Sequence, residues 1–432
     1  MRPHRVVLAL ALAFLLTPSP ARADGAPSRA ELEEQARRCR QILKTSIVDF
    51  YLPHCVDKTN GGYFENLKGD KFAPTGEKFL TQQARQLWFF SNLVATGIEK
   101  DAARDAARSG FDFLENHFRD RTHGGYFAKV SDAGKPADTR KHVYLNAFAL
   151  YGLTAYHRAT GEAAALDAAK ELFRTLDAKA HDEYGGYVEF FKADWKPITD
   201  PKEPMYVAPP GVKTFNTHLH VLEALAELYR AWPDAAVRKR LEETLAINTL
   251  TVRLPQYGCN VDGFKTDWTP IDTTRNLRAS YGHDVEGAWL CLDAARALGE
   301  APILYCGWAE GLVGYSLKHG YDRTHGGFFY TGPLGKDADD TKKEWWVQAE
   351  ALVSMLELYS LTGKREYYQV FAQTLDFVEK HQVAKEGGWW ATRKADGSPA
   401  GTSRSSMWQG AYHSGRSMLT CAKLLDELAK KK

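Results

Sequence analysis

Apolar residues recur along most of this chain at helical spacing, with charged and polar residues on the opposite face. The stretches "AARDAARSGFDFLENHF" and "VYLNAFALYGLTAYHRATG" show the pattern, and each ends near a turn signal. Taken in order, the periodic segments predict six pairs of helices, an outward one followed by an inward one. The pairs are 30–50 with 79–96, 101–118 with 141–158, 162–178 with 217–231, 234–250 with 281–297, 303–319 with 345–362, and 365–382 with 409–428.

Between the two helices of each pair lies a Gly doublet followed by an aromatic residue. The copies read "NGGYF", "HGGYF", "YGGYV", "HGGFF" and "EGGWW", with a degenerate one, "VDGFK", in fourth place. From Gly61 onward they are 63, 61, 77, 64 and 61 residues apart. Such a period makes the chain six copies of one unit, each with two helices and a Gly-rich excursion that reads as a short hairpin. An open solenoid requires polar end units. The first and last units here are as apolar and aromatic as the middle ones. The expected fold is therefore all-α, an (α/α)6 barrel of six helical hairpins with short β-hairpin excursions, filling residues 24–432 as one catalytic domain.

The second helix of each unit opens on residues foreign to an apolar stripe. They are Arg85 in "QQARQLWFF", Tyr144 in "KHVYLNAF", Asn216 and His220 in "FNTHLH", and His283 and Glu286 in "SYGHDVEGAW". Glu344, Trp346 and Glu350 follow in "KKEWWVQAE", then Trp408 and His413 in "MWQGAYHSGR". All occupy equivalent positions, so ring closure points them into one cup. Residues three or four apart share a helix face, which aligns Asn216, His220 and Glu223, pairs His283 with Glu286 and Trp346 with Glu350, and turns His218 away.

Each of these residues taken alone has an ordinary explanation as a hydrogen-bonded core group. Three histidines at equivalent ends of three repeats outweigh it. Arg85 and Arg416 could be surface ion-pair partners, although Arg85 adjoins the aromatic run "LWFF". Trp345, Trp346 and Trp408 could fill core, but beside polar groups at a cup mouth their faces suit the apolar face of a sugar ring. His123 and His325, in "THGG", read as hairpin structure.

Composition narrows the function further. The chain has 432 residues, 44% apolar and 12% aromatic, which excludes disorder as the default. The start, "MRPHRVVLALALAFLLTPSPARADG", has a basic head, an apolar stretch from Val6 to Leu16 and an Ala21-Arg22-Ala23 cleavage pattern, so a signal peptide cut after Ala23 is expected. Its removal takes the formal charge from +2 to −1, which gives no pull toward nucleic acid. No later segment has the roughly 20 apolar residues needed to span a bilayer, so an exported, periplasmic or secreted protein without membrane insertion is expected, as a monomer or homodimer. The cysteines (Cys39, Cys55, Cys259, Cys291, Cys306, Cys421) have no zinc spacing, and the sequence does not assign partners to them.

No HExxH, phosphate-binding or GxSxG motif is present, and His218 and His220 diverge on a helix, so neither metal nor cofactor is expected. Several histidines with an arginine, a tyrosine, an asparagine and aromatic walls suit proton transfer on a neutral polyol, because imidazole serves as base in one direction and acid in the other. A glycosidase would use two carboxylates flanking the bond.

The motifs "FNTHLHVLEA", "SYGHDVEGAW", "EWWVQAEAL" and "AYHSGR" together resemble the N-acylglucosamine 2-epimerase superfamily, and within it the cellobiose 2-epimerases, from about residue 30 to 428. The resemblance implies an (α/α)6 barrel and a cofactor-free sugar 2-epimerase. It places catalytic histidines at His220, His283 and His413, and substrate contacts at Arg85, Tyr144, Asn216, Glu286, Glu344, Trp346 and Trp408. His283 and His413 would form the acid–base pair, with Glu286 tuning His283 and His220 assisting ring opening. Two departures stand out: "EPMYVAPPGVKTF" replaces a Lys-Asp-containing loop, and "YHSGR" stands where "YHNGR" is usual. The rival readings are a glycoside hydrolase or lyase using Glu286 or Glu344, an aldose–ketose isomerase, and a sugar-binding module.

Overall fold

The computed structural model describes residues 25–272 and 277–432; the expected signal peptide lies outside them. Twelve long helices form two concentric layers among the described residues. The inner layer comprises α2 (Leu80–Thr96), α4 (Val143–Thr160), α6 (Phe215–Ala231), α8 (Tyr281–Ala297), α10 (Trp345–Thr362) and α12 (Ala411–Lys430). The outer layer comprises α1 (Arg29–Ile42), α3 (Lys100–Phe113), α5 (Ala163–Lys179), α7 (Ala235–Ala246), α9 (Ile303–His319) and α11 (Arg365–Phe377). Each inner helix packs on the next and α12 packs on α2, which closes the ring. The fold is an (α/α)6 barrel, as the repeat count predicts.

Burial explains the layering. From Val347 to Tyr359 every residue of α10 is buried, as a helix enclosed on all sides requires. In α3 the buried set is Ala103, Ala106, Ala107, Gly110, Phe111 and Phe113, one stripe of a half-exposed helix. Four outer helices, α1, α3, α7 and α11, continue into a π-helical turn, for instance Leu114–Phe118 after α3.

The helix pairing differs from the expected one by one step. Each inner helix packs most closely on the outer helix that follows it, α2 on α3 and α4 on α5, and so on round the ring. The reason is loop length: only Gly97 to Glu99 separate α2 from α3, whereas the whole glycine excursion separates α1 from α2. The sixth hairpin is therefore made by the two chain ends, α12 against α1.

The excursions are also less local than hairpins. The strand entering each of five inner helices pairs with the excursion of the following unit, as Glu77–Phe79 does with Lys129–Ser131 and Lys343–Glu344 with Thr392–Arg393. This stitches neighbouring units along one rim. An ion pair made by a buried lysine repeats beneath four of these strands. Lys78, Lys141, Lys213 and Lys343 donate to Asp57, Asp120, Asp182 and Asp322 at 2.7, 2.9, 2.8 and 2.8 Å. All six cysteines are buried and unpaired.

Candidate active site

The N-terminal ends of all six inner helices meet at the stitched rim, so their positive dipole ends converge on one hollow and favour negative charge developing there. Register within these helices sorts the side chains into layers. The sixth residues are Arg85, Phe148, His220, Glu286, Glu350 and Arg416. The third residues include His283 and His413, and the second include Tyr144, Asn216 and Trp346.

The fourth residues serve structure instead. Gln83, Asn146 and Gln348 each accept from the backbone N–H of the aromatic residue after a Gly doublet, at 2.8, 2.9 and 2.8 Å. His218 does the same in its unit, accepting from Tyr187 N–H at 2.9 Å, while its Nδ1 lies 2.7 Å from the Thr214 carbonyl. Burial lowers its pKa to about 3, so it stays neutral. Gly186 must be glycine here: a Cβ would stand 2.6 Å from His218 Nε2, and its φ is +71°. His123 and His325 lie in the glycine turns, as expected, with backbone N–H groups bonded to Asp120 and Asp322.

A cavity of about 370 Å³ opens among these helix starts. Arg85, Tyr144, Asn216, His220, His283, Glu286, Glu344, Trp346, Trp408 and His413 all line it, so ten of the eleven residues singled out by sequence converge there. Glu350 does not line it. It lies behind His413, 2.6 Å from Nδ1, and accepts from Trp289 Nε1 at 2.9 Å.

The histidines have different surroundings. His220 Nδ1 is 2.9 Å from Glu223 Oε2. Burial works against ionisation of Glu223, but the Arg416 charge and the bonds from His220 and Tyr412 outweigh it and hold its pKa at about 2. An ionised Glu223 takes the Nδ1 proton as a hydrogen bond and leaves the Nε2 lone pair of His220 free. Burial sets the pKa of His220 at about 4. Burial also lowers those of His413 and His283. The His283 ring leans on Trp346, centroids 4.8 Å apart, and meets no hydrogen-bonding partner among the described residues.

Arg416 is the centre of the carboxylate cluster rather than a surface partner. Its Nη2 is 2.8 Å from both Glu286 Oε1 and Glu350 Oε1, and its Nη1 bonds Glu223 and the Tyr412 hydroxyl. Glu286 thus faces Arg416, not His283, although the two share a helix face, and its Oε2 is buried without a partner. Trp346 and Glu350 likewise turn to different neighbours. Glu286, Glu350 and His413 bring ligand atoms within 4.8 Å of one another, but Arg416 already supplies the cation between the carboxylates. Arg85, also buried, has no acidic partner among the described residues; it donates to the Tyr144 hydroxyl at 2.9 Å and the Trp408 carbonyl at 3.0 Å.

Residues 62–415 match the family model described as N-acylglucosamine 2-epimerase (GlcNAc 2-epimerase). The chain belongs to the N-acylglucosamine 2-epimerase family. It is 31% identical over 402 residues to the cellobiose 2-epimerase of Bacteroides fragilis, covering 89% of this chain and 97% of that one. The human N-acylglucosamine 2-epimerase is 23% identical over 429 residues, covering 95% and 94%. The solved cellobiose 2-epimerase of Spirochaeta thermophila superposes with a TM-score of 0.83 at 31% identity, covering 93% of this chain and 98% of that one. The protein is accordingly a carbohydrate epimerase, an isomerase.

Sequence reasoning passed over several parts of this epimerase's site. Tyr206, Val207 and Tyr330 also line the cavity, as does Trp345, one of the three tryptophans expected to face a sugar ring. Tyr206 and Val207 come from the long segment before α6, which no periodicity marks. Arg416 had a signal: it stands at the same sixth helical position as Arg85, His220, Glu286 and Glu350.

Proposed function

We propose that this epimerase inverts C2 at the reducing end of a gluco- or manno-configured oligosaccharide, with a cellobiose-type disaccharide favoured, by proton transfer between two histidines through a cis-enediolate. The names of its relatives support the substrate class. The observation that carries the mechanism is the unequal backing of the histidines. His413 is bonded to Glu350, while His283 has no such partner among the described residues.

His220, with Nε2 free, takes the proton from the anomeric hydroxyl as the ring C–O bond breaks and passes it to the ring oxygen. Arg85, with Tyr144 and Asn216 beside it, holds the oxygens and steadies charge on O1. His283 then removes the C2 proton, made acidic by the C1 aldehyde, to give the enediolate. Rotation about C2–C3 presents the other face. His413 returns a proton there from Nε2 while taking one at Nδ1 from Glu350. Burial raises Glu350 and lowers His413, which rests their shared proton on the carboxyl. The reverse direction exchanges the two roles.

The test is incubation with cellobiose, lactose, mannose, glucose and N-acetylglucosamine in deuterium oxide, followed by NMR. Deuterium at C2 with inverted configuration is expected, most strongly for the disaccharides. Ketose formation selects isomerisation and bond cleavage selects a hydrolase. His283→Ala and His413→Ala should each abolish interconversion, and substantial activity in either overturns the two-base assignment.

Export is part of the same proposal, supported by the basic head, apolar stretch and Ala-Arg-Ala pattern of residues 1–23. No described helix is long and apolar enough to cross a membrane. N-terminal sequencing of the native protein should begin at Asp24; a chain retaining Met1 and confined to the cytosol rejects it.

A further inference from the structure

The excursion of the fourth unit passes between the two helices that carry His220 and His283. Asn260 stands there in the place that an aromatic residue takes in the other units. Its N–H donates at 3.2 Å to Oδ1 of Asp284, the fourth residue of α8 and the chain neighbour of His283. Two residues on, Asp262 has reached α6: its carbonyl accepts from Phe215 N–H at 2.9 Å and its Oδ1 from Asn216 N–H at 3.0 Å. Two residues of extended chain span about 7 Å at most, so the Asp262 carboxylate is confined to the gap between the first turn of α6 and the turn of α8 that bears His283. The imidazole borders the same gap, its ring centroid 6.2 Å from that of Phe215.

An acid recurs at this place in the repeat. Glu65 and Glu189 also stand two residues past their aromatic, and accept from the N–H groups of Phe79 and Thr214 at the starts of α2 and α6. Both are buried, and burial pushes each up to about 8. Asp262 is a methylene shorter, half-buried, and turned instead to the helix of the preceding unit, at the positive end of α6, a setting that favours a carboxylate. Burial lowers the proton affinity of His283, and of the charges that oppose burial Asp262 acts most strongly, ahead of Glu350. The other acids near the imidazole, Asp284 and Glu286 on its own helix and Glu344 on α10, are pushed by burial toward their neutral forms, as Glu350 is. Burial likewise disfavours charge on His220, His413, Tyr144 and Tyr330. The cations Arg85 and Arg416 are engaged by Tyr144, Trp408 and the carboxylate cluster.

We propose that Asp262 is a positioning residue for His283: its carboxylate fixes the start of α6 beside the imidazole and steadies the positive charge that forms there when His283 takes the C2 proton. It does for His283 by charge across a gap what Glu350 does for His413 by a hydrogen bond. This rests on the reading of His283 as a base, and not on the size of the sugar. The experiment follows the pH dependence of steady-state epimerisation by the full-length enzyme and by His283→Ala, Asp262→Asn and Asp262→Ala, on cellobiose, or on mannose if that is the sugar turned over. Asp262→Asn keeps an acceptor for Asn216 N–H and removes only the charge. Its kcat at pH 7 should fall about tenfold with KM unchanged. Its acid limb should move to lower pH, because a carboxylate favours the protonated imidazole, and without it the neutral base survives further into acid. Asp262→Ala should show the same displaced limb and also a lower Tm, since Asn216 N–H then loses its acceptor.

An acid limb that stays in place or moves to higher pH in the Asp262 variants, or a KM that rises while kcat holds, overturns the inference and leaves the proposed function standing. Substantial activity in His283→Ala overturns the two-base assignment and this inference with it. A wild-type enzyme idle on both sugars overturns both.

Discussion

Replacing Arg416 by Met removes the one cation that, among the described residues, faces Glu223, Glu286 and Glu350 while keeping an apolar chain against Trp289 and Tyr412. The cost can be worked from Glu223. Its pKa is held at about 2 against 4.5 for an ordinary glutamate, chiefly by Arg416 acting against burial. At about 1.4 kcal/mol per unit, this differential amounts to about 3 kcal/mol, within the range for breaking a buried ion pair. Glu286 and Glu350 add little, since burial already raises both toward the neutral form. A folded chain of roughly 400 residues unfolds with about 0.9 kcal/mol/K of entropy, so Tm should fall by about 3–4 °C at pH 7, read by calorimetry. The sign with pH follows from a depressed carboxylate: its stabilisation is full above pH 4.5 and is lost as pH falls toward 2, so acidification should narrow the gap between wild type and variant. The kinetic signature is separate. Arg416 does not line the cavity, so KM should hold while kcat drops by about a hundredfold as His220 and His413 lose their orientation. A Tm within 1 °C of wild type at pH 7, or a gap unaltered by acidification, would refute the electrostatic account, and an unchanged kcat would refute the positioning role.

His218→Ala should destabilise by about 1–3 kcal/mol, because Tyr187 N–H loses its acceptor in the core, yet leave the pH profile alone. His218→Gln should recover much of that stability, since glutamine fills the equivalent position at Gln83 and Gln348; a melt in which Gln is no better than Ala contradicts the shared role. The acid limb of kcat/KM should fall below pH 6.5, because burial depresses all three site histidines, and the neutral form required of a base is lost only as pH drops through those lowered values. A limb at or above pH 6.5 in a rate-against-pH series would be the contrary result.

The fold was legible because its signal is periodic. Twelve helices and their positions follow from apolar spacing, and closure follows from the apolar end units. The partner of each outer helix was not legible, because two helices three residues apart and two helices some thirty residues apart look alike to a periodicity. The Gly97–Glu99 connection held the answer, since a short link forces antiparallel neighbours. At the site, helix register brought ten of eleven residues to one cavity, but register gives a face and not a bond. It put Glu286 beside His283, and the much stronger charge of Arg416, from a helix elsewhere in the ring, took that carboxylate instead. Tyr206 lies in the loop "EPMYVAPPGVKTF", which stands out in the sequence, but nothing there marks the tyrosine itself, which is held by Asp138 and Arg140 from another unit.

The sixth hairpin, made by α1 against α12, sets a schedule for the chain. Every other outer helix finds its close partner just before it in sequence. Of the twelve described helices, the first to leave the ribosome finds its partner only when the twelfth has been made. Until then α1 carries a bare apolar stripe, and the barrel stays open along one seam.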